Sequence, residues 1–186
     1  MALLPGSLGV SLKTAGEFAP QDLRDEVSQM PGWERTEYMG TLDRPGVLRV
    51  LGQARLGLLT LHPSPAQYEA WPVKLFEYMC AGVPVIASDF PLWREIVQGA
   101  GCGLLVDPLN PQAIAQAIEF VLTHPREAAA MGQRGREAVG RRYNWETEEK
   151  KLLKLYADLL QPETSVLEIA SSHQAMRASS TPGTGP

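Results

Sequence analysis

The chain has 186 residues, of which 44% are hydrophobic and 20% charged, and its formal net charge is −4. This length and composition fit one soluble domain with a real core, and the negative charge disfavours nucleic acid or an anionic membrane as a partner. No run approaches the roughly 18 apolar residues of a membrane span, and no basic segment precedes an apolar one at the N-terminus. We therefore expect a cytoplasmic protein with no integral membrane segment.

The first two-thirds of the chain alternates short apolar runs with segments of helical character. The runs typical of strands cover residues 10–15, 36–39, 55–61, 83–87 and 103–106. The helical segments cover residues 20–30, 43–52, 72–81, 91–98 and 110–122. Such alternation predicts βαβ units, that is, an α/β fold with a Rossmann-like parallel sheet flanked by helices.

After Thr123 the pattern is only helical. One helix is predicted over 125–142, where Gly132 and Gly135 interrupt an Ala-rich face, and another begins near Asn144. The last helix carries an apolar stripe made of Leu152, Leu155, Tyr156, Leu159 and Leu160. We expect an irregular segment over 1–9, one domain over 10–160, and a disordered tail over 161–186, which is rich in Ser, Thr, Gly and Pro.

Two glutamates, Glu69 and Glu77, lie at the junction of a loop and an apolar helix. Pro72 suits the first turn of that helix and Gly82 its end. The residues between them are apolar on all sides, which predicts a buried helix. A buried Glu77 carboxylate needs a dedicated partner, and a polyol hydroxyl would serve. The alternatives are an exposed loop acid for Glu69 and a structural salt bridge for Glu77.

Several neighbouring features have competing interpretations. Lys74 shares a helix face with Glu77, so it either pairs with that carboxylate or adds positive charge for a phosphate. Cys80 and Cys102 lie in apolar runs without metal-ligand spacing, and we expect both to be buried free thiols in a reducing compartment. The glycines at 99–103 precede a strand instead of joining a strand to a helix, so they do not indicate a phosphate loop. No metal cluster and no cofactor are expected.

The run from Glu69 to Asp89 resembles the donor-site signature of family 4 glycosyltransferases, which are retaining enzymes of the two-domain GT-B architecture. The resemblance extends over roughly Thr14 to Leu160 and continues, in the right order, through residues 103–108, 110–114, 131–136 and 143–145. It implies a nucleotide-sugar donor as the partner.

The resemblance also implies roles for individual residues. Glu69 takes the place of the catalytic-site glutamate that binds donor-sugar hydroxyls, and Glu77 that of the glutamate that holds the nucleotide ribose. The diphosphate would lie at the helix N-terminus, which is formed by Ala70, Trp71, Val73 and Lys74. The nucleobase would lie at the end of a strand, beside Tyr38, Met39 and Gly40. Carboxylates suit the first two tasks because they are acceptors that grip vicinal diols well.

The chain departs from the family's pattern at its N-terminal side. A complete enzyme has an acceptor-binding domain and a Gly-rich strand–loop followed by a basic residue, and the sequence before Val10 resembles neither. We therefore expect an N-terminally truncated donor-binding domain that is inactive in isolation, with an unknown acceptor and with self-association through its last helix. The alternatives are a nucleotide-sugar epimerase of the same fold and a degenerate binding module without turnover.

Overall fold

The computed structural model describes residues 1–160, and the tail predicted over 161–186 lies outside the described residues. The strands of this part are β1 (Leu12–Thr14), β2 (Thr36–Tyr38), β3 (Gly57–Leu59), β4 (Val85–Ser88) and β5 (Gly103–Val106). The helices are α1 (Leu23–Ser28), α2 (Arg44–Gln53), α3 (Pro65–Glu69), α4 (Val73–Ala81), α5 (Pro91–Ala100), α6 (Pro111–Thr123), α7 (Pro125–Arg141) and α8 (Trp145–Leu160). The chain divides into two compact units, one over Met1–Tyr143 and one that begins at Asn144.

All strand pairs in the first unit are parallel. β1 pairs with β2, with Lys13 opposite Glu37, while β3, β4 and β5 form a second sheet in that order. Helices connect the successive strands, as parallel pairing requires. The predicted α/β, Rossmann-like architecture is therefore confirmed, although the strands form two short sheets and every strand except β5 is shorter than its predicted apolar run.

The core lies on both faces of β4, whose residues Val85 to Ser88 are fully buried. Val85 and Ala87 belong to a cluster with α4 and α5, whereas Ile86 packs with α6 and with Leu4 from the N-terminal segment. Successive side chains of a strand point to opposite faces, so β4 separates the two clusters. A strand covered on both faces explains the continuous apolar run in the sequence.

Helix α7 packs against α4 through its glycines. A side chain at Gly132 would overlap the carbonyl oxygen of Gly82, and one at Gly135 would lie 3.1 Å from the Cβ atom of Cys102. Arg136 also donates from Nη2 to the carbonyl oxygen of Ala81 at 2.9 Å. The two glycines that interrupt the predicted Ala-rich face are buried where the helices meet, and α7 is continuous through both of them, as predicted.

In the second unit, α8 has no buried residue. Leu152, Leu155, Tyr156 and Leu159 on the predicted stripe are all exposed.

No helix within residues 1–160 is long and apolar enough to cross a membrane.

Candidate functional site

The segment that joins β3 to α4 contains the short helix α3, which ends at Glu69. Ser64 caps this helix by accepting a hydrogen bond from the Gln67 N–H at 3.3 Å. The Glu69 side chain is exposed. The sequence predicted a loop here, because a helix of five residues is too short to show a helical period.

Helix α4 begins at Val73, and Pro72 occupies the N-cap position without capping it by a side chain. The Leu75 N–H donates to the Pro72 carbonyl oxygen at 2.9 Å. The N–H groups of Val73 and Lys74 have no acceptor within residues 1–160, and both side chains are exposed, Val73 by 69%. Two free N–H groups at the positive end of a helix dipole suit an anion.

The expectation that α4 is buried on all sides was wrong. Only Leu75 and Met79 are fully buried, while Val73, Lys74 and Cys80 are exposed and Glu77 is half-buried. Apolar composition overestimated burial here because much of a protein's surface is also apolar.

The two cysteines differ, so the prediction that both thiols are buried was wrong for one of them. Cys80 is exposed and Cys102 is buried. Burial raises the pKa of the Cys102 thiol from 9.0 to about 11. A neutral, buried thiol is inert compared with an exposed one.

The Glu77 carboxylate forms no ion pair or hydrogen bond within residues 1–160. Lys74, three residues before it, forms none either, although several ion pairs occur elsewhere on the surface. The pKa of the neighbouring Tyr78 hydroxyl is raised, mainly by burial and secondarily by the negative charge of Glu77. The salt-bridge interpretation of Glu77 therefore finds no support, and its oxygens remain available to a ligand.

An open cavity of about 240 Å³ lies where the three strands of the larger sheet end. It is lined by Pro63 after β3, Asp89 and Phe90 after β4, Asp107 and Pro108 after β5, and Tyr68 on α3. Arg94 donates from Nε to Asp89 Oδ1 at 2.7 Å, and this hydrogen bond lowers the pKa of the Asp89 carboxyl. Open α/β sheets bind ligands at this edge.

The link between Glu69 and α4 is held by an aromatic residue from α5. The Trp93 Nε1–H donates to the carbonyl oxygen of Ala70 at 2.9 Å. The Trp71 ring, by contrast, is 61% exposed and stacks on Phe76 at 6.0 Å. The sequence gave no sign of the bond between Trp93 and Ala70, because no spacing rule links positions 93 and 70.

The end of β2 presents Tyr38, Met39 and Gly40 beside the end of β1. The Tyr38 hydroxyl donates to the Gly16 carbonyl oxygen at 2.8 Å, and the Arg24 guanidinium lies 5.1 Å from the ring centre. Gly40 has a φ of 65° and accepts a hydrogen bond from the Gly16 N–H at 2.9 Å. These contacts fix the tip of the smaller sheet. No group of three or more His, Cys, Asp or Glu side chains in the described part of the chain could hold a metal ion.

Residues 14–138 match the family described as "Glycosyl transferases group 1". The chain is 26% identical over 173 residues to the phosphatidyl-myo-inositol mannosyltransferase of Mycobacterium leprae, covering 90% of this chain and 44% of that protein. It is 37% identical over 84 residues to a GDP-mannose-dependent alpha-(1-6)-phosphatidylinositol monomannoside mannosyltransferase of Mycobacterium tuberculosis, covering 45% of this chain and 22% of that protein.

Solved structures agree in fold. Sucrose-phosphate synthase from Thermosynechococcus elongatus superposes with a TM-score of 0.70 at 26% identity, covering 80% of this chain and 38% of that one. HepE of Anabaena, solved in complex with UDP, superposes with a TM-score of 0.71 at 20% identity, covering 84% of this chain and 43% of that one. The chain thus spans less than half the length of these relatives. The domain has the GT-B type of fold that the sequence indicated, and the chain belongs to the group 1 glycosyl transferase family.

Proposed function

We propose that this domain binds the nucleotide-sugar donor of a retaining glycosyltransferase, with the ligand between Glu69 and the N-terminal end of α4. One observation carries the proposal. A half-buried Glu77 carboxylate without a partner among residues 1–160 lies one turn beyond the uncapped N-terminus of α4. That arrangement offers hydrogen-bond donors for a diphosphate and, next to them, acceptors for a diol.

The proposed roles follow the chemistry of each group. The free N–H groups of Val73 and Lys74, with the Lys74 ammonium, would receive the diphosphate, while Ala70 and Trp71 would border it. Glu77 would accept hydrogen bonds from the ribose hydroxyls, and Glu69 from the hydroxyls of the donor sugar. The nucleobase would lie beside Tyr38, Met39 and Gly40, where β2 ends.

The chemistry proposed for the complete enzyme is electrostatic. The departing diphosphate gains negative charge as the sugar passes through an oxocarbenium-like state. Donors fixed at a helix N-terminus stabilise that charge without having to reorganise during the reaction. Glu69 would hold the sugar while the acceptor attacks on the face from which the diphosphate leaves, which retains the configuration.

Two relatives bear on the donor. The protein from Mycobacterium tuberculosis is named as GDP-mannose-dependent, and HepE was solved with UDP. We therefore include both guanine and uracil nucleotides among the candidate donors of this chain.

A second part of the proposal concerns assembly. The exposed stripe of α8, made of Leu152, Leu155, Tyr156 and Leu159, would pair with the same stripe of a second copy of the chain. Burying four such side chains is worth roughly 1.5–3 kcal/mol each, and exposed apolar patches of this kind mark interaction surfaces.

Isothermal calorimetry of the purified chain tests the donor proposal. The ligands are GDP-mannose, UDP-glucose and ADP-glucose, with free mannose and free glucose as controls. We expect one nucleotide-sugar to bind while the free sugars do not, because the diphosphate supplies most of the charge-assisted hydrogen bonds. Absence of binding by all three nucleotide-sugars to a folded chain would overturn the proposal.

A further inference from the structure

Trp93 is a core residue whose one polar side-chain atom, Nε1, forms a hydrogen bond to the backbone near Glu69. Its side chain is 0% exposed, yet its Nε1–H donates to the carbonyl oxygen of Ala70 at 2.9 Å. A buried indole N–H requires an acceptor. The acceptor used here belongs to the residue that directly follows Glu69, so α5 is tied to the backbone on one side of that glutamate.

A second contact ties down the other side. The Trp93 ring lies 4.8 Å from the Phe90 ring, and the Phe90 ring meets the Tyr68 ring edge-on at 4.9 Å. Tyr68 directly precedes Glu69 and is itself 44% exposed. The three aromatic rings are therefore in consecutive contact from the core to the residue before Glu69.

Both neighbours of Glu69 are thus fixed to the start of α5, whereas the Glu69 side chain is exposed and has no protein partner within the described residues. A glutamate with a free carboxylate on a fixed backbone is suited to hold a ligand group in a defined place. Fixing the backbone beforehand lowers the ordering cost of binding.

We propose that Trp93 is a positioning residue for Glu69, acting through the Ala70 carbonyl and, by way of Phe90, through Tyr68. The inference rests on the proposed contact of Glu69 with the donor sugar. It predicts that Trp93 affects recognition of the sugar more than recognition of the nucleoside diphosphate, because the donors assigned to the diphosphate are those of Val73 and Lys74 on α4, while Ala70 and Trp71 only border it.

The test compares wild-type chain with Trp93→Phe, which keeps a buried ring and removes the N–H donor. Trp145→Phe on α8 is the matched control. Calorimetry with GDP and GDP-mannose, and with UDP and UDP-glucose, gives the gain in affinity due to the sugar. In Trp93→Phe we expect this gain to fall by roughly threefold to tenfold, as for loss of one hydrogen bond, with nucleoside diphosphate affinity within about twofold of wild type.

Amide hydrogen exchange without any ligand provides a second readout. We expect the Gln67 and Tyr68 amides, which donate to the Ser64 carbonyl oxygen in α3, to exchange roughly threefold to tenfold faster in Trp93→Phe and to be unchanged in Trp145→Phe. Unchanged exchange at these amides would overturn the positioning role, whether or not a ligand binds. If the wild-type chain binds no nucleotide, the proposed function is what fails, and the exchange experiment still decides on positioning.

An equal loss of affinity for the nucleoside diphosphate and the nucleotide-sugar would also overturn the inference, because it would show a merely structural role. Should Trp93→Phe fail to fold, Tyr68→Leu takes its place. This substitution removes the outermost of the three rings, at an exposed position. We expect it to reduce the affinity gained from the sugar in the same selective way.

Discussion

Gly132 on α7 lies directly against the carbonyl oxygen of Gly82, which ends α4 in a left-handed conformation with a φ of 71°. The same end of α4 receives the Arg136 guanidinium on the Ala81 carbonyl. The C-terminal end of α4 is therefore held by backbone contact with α7, and the direction in which its N-terminus points depends on that contact.

Gly132→Ala should destabilise the chain by about 1–3 kcal/mol, the range for overpacking a tight contact. Gly52→Ala at an exposed position of α2 is the control, because no atom of residues 1–160 would lie within 4 Å of a Cβ atom there. It should stabilise α2 by roughly 0.5–1 kcal/mol. Urea unfolding followed by circular dichroism measures both. Equal stability of Gly132→Ala and wild type would show that the two helices can move apart freely.

Glu77→Gln should weaken binding of whichever nucleotide-sugar the chain takes by about 1–3 kcal/mol, the range for a lost hydrogen bond to a charged group. Thermal stability should change little, because the carboxylate has no partner among residues 1–160. Glu95→Gln, an exposed position on α5, is the control. Calorimetry gives the affinities and a melting curve the stability. Unchanged affinity in Glu77→Gln would remove this residue from the proposed ribose site.

Cys80 should react quickly with a thiol reagent in the native chain, and Cys102 should react only after unfolding. The first thiol is exposed, while the second is buried with a pKa of about 11, and the thiolate is the reactive form. Titration with Ellman's reagent before and after adding denaturant checks this. The Cys80→Ser variant should show no fast labelling. Rapid labelling of both thiols in the native wild-type chain would contradict the prediction.

Stability should fall as the pH rises above about 9. The pKa of Cys102 is 9.0 in its ordinary state and about 11 when folded, so the unfolded chain loses this proton first. The stabilising contribution is complete below the lower pKa and is lost as the pH rises through the upper one. The raised pKa of Tyr78 acts with the same sign at somewhat higher pH.

Urea unfolding between about pH 8 and about pH 10.5 measures this slope, and Cys102→Ala serves as the comparison. The variant will have lower stability throughout because of the lost packing, but its stability should depend less on pH in this range. The same pH slope in Cys102→Ala and wild type would show that other groups cause the loss.

The double variant Leu155→Glu, Leu159→Glu should shift the chain from a self-associated to a monomeric species in sedimentation velocity. Two charges in the stripe of α8 would face each other across the proposed contact and lose water on association. Lys154→Glu, on the opposite side of the helix, is the control and should leave the sedimentation coefficient unchanged. A wild-type chain that stays monomeric at high concentration, with strong amide protection over 152–160, would contradict self-association.

Sequence patterns predicted the order of the elements because proline, asparagine and glycine mark their ends. Asn110 and Pro111 open α6, for example, with the Asn110 Oδ1 accepting from the Ala113 N–H at 3.1 Å. Sequence patterns did not predict the exposure of individual side chains, because exposure depends on which residues are neighbours in space. The exposure of Val73 and Cys80 depends on which side of α4 the sheet and α7 cover, and composition carries no such information.

The candidate site shows the same limit. Glu69 and Glu77 stood out because carboxylates beside an apolar helix are unusual in a sequence. Trp93 did not, because a tryptophan in an amphipathic helix is an ordinary core residue until its hydrogen-bond partner is known. Likewise, the sequence shows Gly132 and Gly135 only as gaps in an Ala-rich face, whereas the packing of α7 on α4 makes them necessary for a close crossing.

The division of the strands into two sheets has a consequence for local unfolding. β1 and β2 share only three residue pairs, supported by the Lys13–Glu37 ion pair at 3.6 Å, and a two-stranded sheet is marginally stable by itself. The tip that carries Tyr38, Met39 and Gly40 should therefore open more often than the three-stranded sheet does. A nucleobase bound there would close the smaller sheet by mass action, so that part of the binding free energy would appear as slower hydrogen exchange in β1 and β2.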